Sequence, residues 1–299
     1  MKNMHAELLE GAYDLHVHTG PDIPERKLDD LDLAERYIKL GMKGFGIKSH
    51  YFCTAERARL VKKIHPAINP IGAVSLNNPI GGINPLAVEM AARDGAKIVW
   101  MPTFDALNEI EFLSNKTKED ELPPWAKVQL ELREQGKMGK GISILKDGKL
   151  TEDALTVLEI ISDYNLILAT GHLGRKEIFA LVTAAKKMKL KRVVITHPTF
   201  SSVNLSKEEQ KELAELGAYM DHCFGVITPN YGIDWDGLYE QIKYVGPKHC
   251  ILSSDLGQVE NPYPDEGMIT FVSNLAENGF SRHEIKNMTK ENTSFLVEA

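Results

Sequence analysis

Eight short apolar runs recur along the 299 residues, and each gives way to a polar turn and then an amphipathic stretch. Strand and helix periodicities that alternate this regularly call for a parallel sheet, because parallel neighbours can be joined only by a crossover segment. Eight units in a chain of this length predict a closed (β/α)8 barrel, the TIM-barrel architecture, as one domain over 1–299. A dinucleotide-binding doubly wound sheet is disfavoured, since no Gly-x-Gly-x-x-Gly turn follows the first strand.

The predicted strands cover 12–18, 44–50, 68–76, 96–102, 166–172, 192–197, 218–224 and 250–256. Between them the sequence predicts a helix over 28–40 that closes at Gly41, and a second that opens at Thr54 as its N-cap with Arg57 and Arg59 on the outer face. Further helices are expected at 85–94, after the Gly81-Gly82 turn, at 151–163, at 176–188, and from Ser281 toward Phe295. The rhythm breaks at 103–150, which reads as an insertion after the fourth strand. It contains a polar stretch at 114–124, a helical segment around 125–135, and a hairpin at 142–150 turned at Asp147-Gly148, a dipeptide suited to positive φ. Its length and the apolar Trp125, Val128, Leu130 and Leu132 predict a lid over the barrel mouth or an interface with a second copy of the chain, so a homo-oligomer is an open expectation.

Charge and composition remove whole classes of function. The formal net charge is −7 and no run of lysine or arginine forms a basic stripe, which argues against nucleic acid as a partner. Residues 1–10 do not resemble a signal peptide and no apolar run is long enough to span a bilayer, so no membrane association and a cytoplasmic location are expected. Cys53, Cys223 and Cys250 have no paired spacing and read as reduced thiols.

In barrels the chemistry sits where strands end, and the unusual polar residues fall there. The first strand ends in His16 and His18, whose side chains alternate with Val17 and therefore share a face able to grip a divalent cation. The second ends in Lys48 and His50, the fifth in His172, the sixth in His197 and the eighth in Asp255. Near the end of the seventh, Asp221 and His222 lie on opposite faces, so only one looks inward. Arg26 and Arg175 are weaker candidates: Arg26 could pair with a carboxylate or phosphate but reads first as a surface arginine, and Arg175 either faces the cleft or caps a helix. His5, His65, His249 and His283 fall away from strand ends.

The runs Asp14-Leu15-His16-Val17-His18, Thr170-Gly171-His172, Ile195-Thr196-His197-Pro198 and Ser253-Ser254-Asp255, in that order, resemble the amidohydrolase superfamily of metal-dependent barrel hydrolases. His-Val-His-Thr-Gly-Pro-Asp, Ile-Lys-Ser-His and Val-Trp-Met-Pro-Thr are similar to a branch of it known mainly as a domain of unknown function. The resemblance implies that His16, His18 and Asp255 hold a metal, with Asp255 also accepting a proton from the attacking water. His172 would bind the same metal or a second one, and His197 would join it or polarise the substrate, with His50 as a further candidate ligand. The implied cofactor is one or two divalent ions, zinc first, with manganese, iron, nickel or cobalt as alternatives.

One departure from that family stands out. Its binuclear members carry a carboxylated lysine or a glutamate at the end of the fourth strand, where this chain has Trp100-Met101-Pro102-Thr103. Lys48 has three open roles: a carboxylated bridge between two metals, a cation that clamps an anionic small-molecule substrate, or a salt-bridged structural residue. The resemblance implies hydrolysis of an amide, ester, lactone or cyclic imidic bond. A metal-dependent decarboxylase or other lyase, and a histidine-rich phosphoesterase barrel, are the alternatives.

Overall fold

The computed structural model describes residues 5–115, 128–129, 131–132, 134–137, 139–227 and 234–298. Trp125 and Leu130, and the predicted polar stretch from 116 onward, lie outside these residues. Eight parallel strands form one sheet: β1 Tyr13–Val17, β2 Gly44–Ile47, β3 Asn69–Ser75, β4 Ala96–Trp100, β7 Ile167–Ala169, β8 Val193–Thr196, β9 Ala218–Cys223 and β10 Cys250–Ser253, each beside the next. Between β4 and β7 the chain forms a small antiparallel hairpin, β5 Leu145–Lys146 and β6 Lys149–Leu150.

The barrel closes between β10 and β1 just past their strand ends. Asp255 N donates to His16 O at 2.7 Å and His18 N donates to Leu256 O at 2.8 Å. Asp14 carries the same seam by side chain, its Oδ1 accepting from Ser254 N at 3.0 Å and its Oδ2 from Tyr37 Oη at 2.6 Å. Gly257 makes the approach feasible: its φ is +126°, and a Cβ there would stand 1.7 Å from His18 O.

A bulge in β1 decides which residues face the site. Asp14 pairs with Phe45 and Val17 with Ile47, so three steps along β1 match two along β2. Tyr13 and Leu15 point into the barrel with Ile98 and Trp100, whereas Asp14 turns out to meet Tyr37. After the bulge His16 and His18 face inward and Val17 joins the outer core.

Helices cover the outside as the alternation predicts, and most starts follow side-chain caps. Asp29, Thr151 and Ser281 accept from backbone N–H groups at the starts of Asp30–Lys39, Glu152–Asp163 and Arg282–Lys286. Thr54 corrects the expected cap. Its hydroxyl donates to Ile47 O at 2.7 Å and accepts from Ala73 N at 2.8 Å, stitching β2 to β3 in place of capping Ala55–Ile64. Arg57 is likewise turned inward, with Nε and Nη2 each 2.8 Å from Asp30, while Arg59 is outward as expected. No helix among the described residues is long and apolar enough to cross a membrane.

The stretch after β4 begins with a helix that sequence reading missed, Leu107–Ser114. The hairpin turns at Asp147 (φ +51°) and Gly148 (φ +74°) as expected. Its lead-in pairs with the chain just beyond β4, through Leu107 N to Ile142 O, and accepts support from Glu177, whose Oε1 takes bonds from Ser143 Oγ and Ile144 N. Glu177 lies in the first turn of the helix after β7, so the hairpin docks on the face of the barrel that carries the strand ends. Gln129 is buried beside the Tyr51 hydroxyl in the loop after β2.

His222 is fully inside the outer layer, opposite in parity to the inward Asp221, and both ring nitrogens lack a hydrogen-bond partner among the described residues. Burial pushes its pKa down to about 4. An unfolded chain binds a proton at this imidazole below about 6.5, whereas the folded one does so only below about 4, so its contribution to stability is lost as pH falls between those values. Replacing His222 with Leu is expected to remove about 3 kcal/mol of acid destabilisation between pH 6.5 and 4. Urea unfolding of both proteins across that range checks this. Parallel curves would show that the ring titrates normally.

Candidate metal centre

Three strands bring donor atoms to one point above Trp100. Asp255 Oδ1 lies 3.0 Å from His16 Nε2 and 3.2 Å from His18 Nε2. The His16 ring packs on Trp100 with centroids 4.6 Å apart, so an apolar floor fixes its height in the barrel. On its other side His16 Nδ1 is 3.1 Å from Asp221 Oδ2, and Cys223 Sγ is 3.5 Å from the same nitrogen. In the tautomer whose Nδ1–H donates to Asp221, Nε2 carries a lone pair aimed at a carboxylate oxygen.

Lone pairs directed at one another this closely call for a proton or a cation between or beside them. Ligands about 2.0–2.2 Å from a shared divalent ion lie about 3 Å from each other when their bonds are near a right angle, which is the spacing seen here. The electrostatics of His16 agree: burial disfavours its cationic form, but Asp255 and Asp221 outweigh burial and hold its pKa above the ordinary imidazole value. The site takes a positive charge, and a divalent metal fits its donors. Burial alone would raise Asp255, yet His16, His18 and Lys48 hold it well below the usual carboxylate range. One ligand atom each of His16, Cys223 and Asp255 also falls within 4.8 Å of the others. Cys223 is the poorer donor, because burial raises its thiol well above normal and keeps it protonated.

The remaining predicted residues surround this point. His18, Lys48, His50, His172, His197 and Asp255 all line one cavity of about 40 Å³. His18 stacks on His50 at 5.0 Å, and His172 meets His197 edge-on at 4.9 Å. Burial holds His18, His50, His172 and His197 below the ordinary imidazole range, so all four are neutral donors at neutral pH. His50 Nδ1 is 2.8 Å from Thr103 Oγ1. His197 Nδ1 and His18 Nδ1 are buried without a partner among the described residues. His197 and Asp255 have φ of +25° and +48°, in the left-handed region that costs a residue with a Cβ of order 1 kcal/mol and clusters at functional sites.

Lys48 Nζ is 2.7 Å from His16 Nε2 and 4.5 Å from the Trp100 ring centre. Its burial lowers its pKa against the pull of Asp255. Among the described residues no carboxylate comes within ion-pair distance of it, which disfavours the salt-bridged structural role. Arg175 lies outside the cavity, paired with Glu209. Arg26, expected at the surface, has only 6% of its side chain exposed and lines the cavity, paired with Asp22.

Two carboxylates that orient histidines were not singled out from sequence. Asp221 was seen only as one of a facing pair, and Glu109 was not noticed. Glu109 Oε2 is 3.0 Å from His172 Nδ1 and also accepts from Ser202 Oγ, fixing the ring so that its other nitrogen faces the cavity. Glu109 sits on the missed helix, at 1% exposure, and a lone buried glutamate in an amphipathic helix was the available signal.

A model of the family of unknown function DUF6282 matches residues 11–221. No curated protein matches the chain by sequence. Solved structures of similar fold include an amidohydrolase from Pseudomonas aeruginosa, 11% identical, covering 99% of this chain and 98% of that one at a TM-score of 0.61. They also include dipeptidase AC, a metallo peptidase, at 13% identity, coverage of 97% and 98% and a TM-score of 0.62. A probable 2-pyrone-4,6-dicarboxylic acid hydrolase from Acinetobacter baumannii, solved with citric acid bound, shares 12% identity over 96% and 98% at 0.59. At these identities the likeness establishes the barrel.

Proposed function

The chain belongs to that family of unknown function, and from this premise we propose that it is a metal-dependent hydrolase cleaving an amide, ester, lactone or cyclic imidic bond of a small molecule. The observation that carries the reading is the convergence of His16 Nε2, His18 Nε2 and Asp255 Oδ1 beside a cavity that His18 and Asp255 line. The similar barrels bearing hydrolase and peptidase names support it.

His16, His18 and Asp255 would hold a divalent cation, zinc first, with His172 and His197 placed to complete its shell or that of a second ion. Such an ion supplies Lewis acidity and lowers the pKa of water from 15.7 toward about 7. Asp255 keeps Oδ1 toward the two imidazoles, while its Oδ2 has no hydrogen-bond partner among the described residues and is free to accept the proton of the attacking water. Asp221 and Glu109 keep His16 and His172 in one tautomer, so neither ring has to reorient during turnover. His197 lines the cavity next to Phe200, positioned to hydrogen-bond the carbonyl under attack. Lys48, buried beside His16, serves as a cation toward an anionic substrate or, if carboxylated, as a bridge between two ions.

Elemental analysis of the purified protein tests the reading. One or two divalent ions per chain are expected, lost in His16→Ala and His18→Ala, with hydrolysis of a panel of amides, esters and lactones abolished by a chelator and restored by metal. Folded protein that retains no metal at pH 8 overturns it. One ion, unchanged in Lys48→Ala, assigns Lys48 the cationic role, whereas loss of a second ion in that variant assigns the bridge.

A further inference from the structure

Arg26 is the cavity residue that the hydrolase reading leaves without a task. It sits in the loop between β1 and Asp30–Lys39, and Asp22 holds it from behind: Arg26 Nε is 2.9 Å and Nη2 2.5 Å from Asp22 Oδ2. Asp22 is itself 1% exposed and anchored through Oδ1, which accepts from Ser49 Oγ at 2.9 Å and from Ile23 N at 3.0 Å. A buried guanidinium braced on one edge by a fixed carboxylate is a rigid fork, and its remaining Nη1 has no hydrogen-bond partner among the described residues. Arg26 nonetheless lines the cavity.

Charge and geometry together say what the fork meets. Arg26 and Asp22 cancel, Lys48 and Asp255 cancel, and Asp221 and Glu109, held against His16 and His172, offset a divalent ion bound by the histidines, so the choice falls to the two cationic side chains that line the cavity, Arg26 and Lys48. A buried cationic donor left without an acceptor, as Arg26 Nη1 is among the described residues, is costly unless an anion answers it. We propose that Arg26, braced by Asp22 and Ser49 and facing the cavity with Lys48, is an oxyanion-recognition residue that binds a carboxylate or phosphate group of the substrate. This assignment rests on the hydrolase reading for calling that anion part of a substrate, and on geometry alone for the subsite.

Size narrows the class further. About 40 Å³ holds roughly three water-sized groups, enough for one oxyanion head beside the reacting bond and not for a long linker between them. The charged group of the substrate therefore lies within a few bonds of the one cleaved.

Calorimetric titration with malonate, its neutral isostere malonamide, and inorganic phosphate tests the subsite on wild type, Arg26→Met and Arg26→Lys, each checked for folding by circular dichroism and for metal content. Malonate or phosphate is expected to bind wild type at least about tenfold more tightly than Arg26→Met, with malonamide unable to tell them apart. Whichever anion shows the dependence identifies the head group as carboxylate or phosphate. Arg26→Lys keeps the charge against Asp22 and loses the fork, so it keeps the fold testable should the methionine variant fail to fold, and it is expected to weaken the same anion. Equal binding of both anions to wild type and to the folded variants overturns the proposal. Protein that binds no metal but shows Arg26-dependent anion binding keeps the subsite and discards the hydrolase reading.

Discussion

Asp255→Asn should fold like the wild type and turn over the best substrate of the panel at least about a hundredfold more slowly, the scale on which a positioned base contributes. The variant is suited to the question because asparagine tolerates the left-handed backbone that Asp255 adopts at φ +48°. It still offers an oxygen to His16 Nε2 and His18 Nε2, so the metal site loses charge but keeps a ligand. What disappears is the second carboxylate oxygen, which has no partner among the described residues and which the proposed mechanism uses to accept the proton from water. Stopped assays of metal-loaded protein, with metal content measured in parallel, separate the two consequences. Turnover equal to wild type at equal metal occupancy would move the proton transfer to His197. A fall that merely tracks lost metal would make Asp255 a ligand alone.

The barrel was legible because its signal repeats. Each strand is a short apolar run bounded by turn residues, and eight such runs reinforce one another even where each is ambiguous alone. The inward histidines were legible for a related reason: a strand ends at the same face every time, so a polar residue at 18, 50, 172, 197 or 255 is placed by its element. His16 and His18 were read correctly as sharing a face, but the bulge that separates them from Asp14 was invisible, since an extra residue changes pairing with β2 and leaves no mark in the β1 sequence. Thr54 and Arg57 were misread because a local rule, the N-cap and the outer helical face, lost to tertiary partners in β3 and at Asp30. Glu109, Asp221 and the Asp22–Arg26 pair were beyond reach for one common reason. Each acts through a partner distant in sequence, His172, His16 or the cavity itself, and sequence spacing carries no information about such contacts.

Asp14 is expected to matter for the fold and not for chemistry, despite standing two residues before the proposed metal ligand His16. It is fully buried and accepts from Tyr37 Oη, Ser254 N and His16 N, so it ties β1 both to β10 and to the first helix. Truncation to alanine leaves the Tyr37 hydroxyl and the Ser254 amide buried without a partner, and a loss of about 3 to 5 kcal/mol is expected. Asp14→Asn should behave differently. Its amide oxygen can accept from the two backbone N–H groups and its NH2 can donate to Tyr37 Oη, so the seam survives without a charge. The charge itself is a burden: burial outweighs the bonds from Ser254 and Tyr37 and pushes the Asp14 carboxyl up to about 6. Between pH 4 and 6 the folded chain therefore holds a proton that the unfolded chain has released, and wild-type stability falls as pH rises through that range by about 3 kcal/mol. This runs opposite to His222, whose contribution grows with pH over nearly the same interval, so the two largely mask each other in the wild type. Denaturant titrations of the single variants unmask them. The stability of Asp14→Asn relative to wild type should rise by about 3 kcal/mol from pH 4 to pH 6 and stay level above it. A flat difference would mean that Asp14 is already ionised at pH 4 and that the hydrogen bonds of the seam outweigh burial.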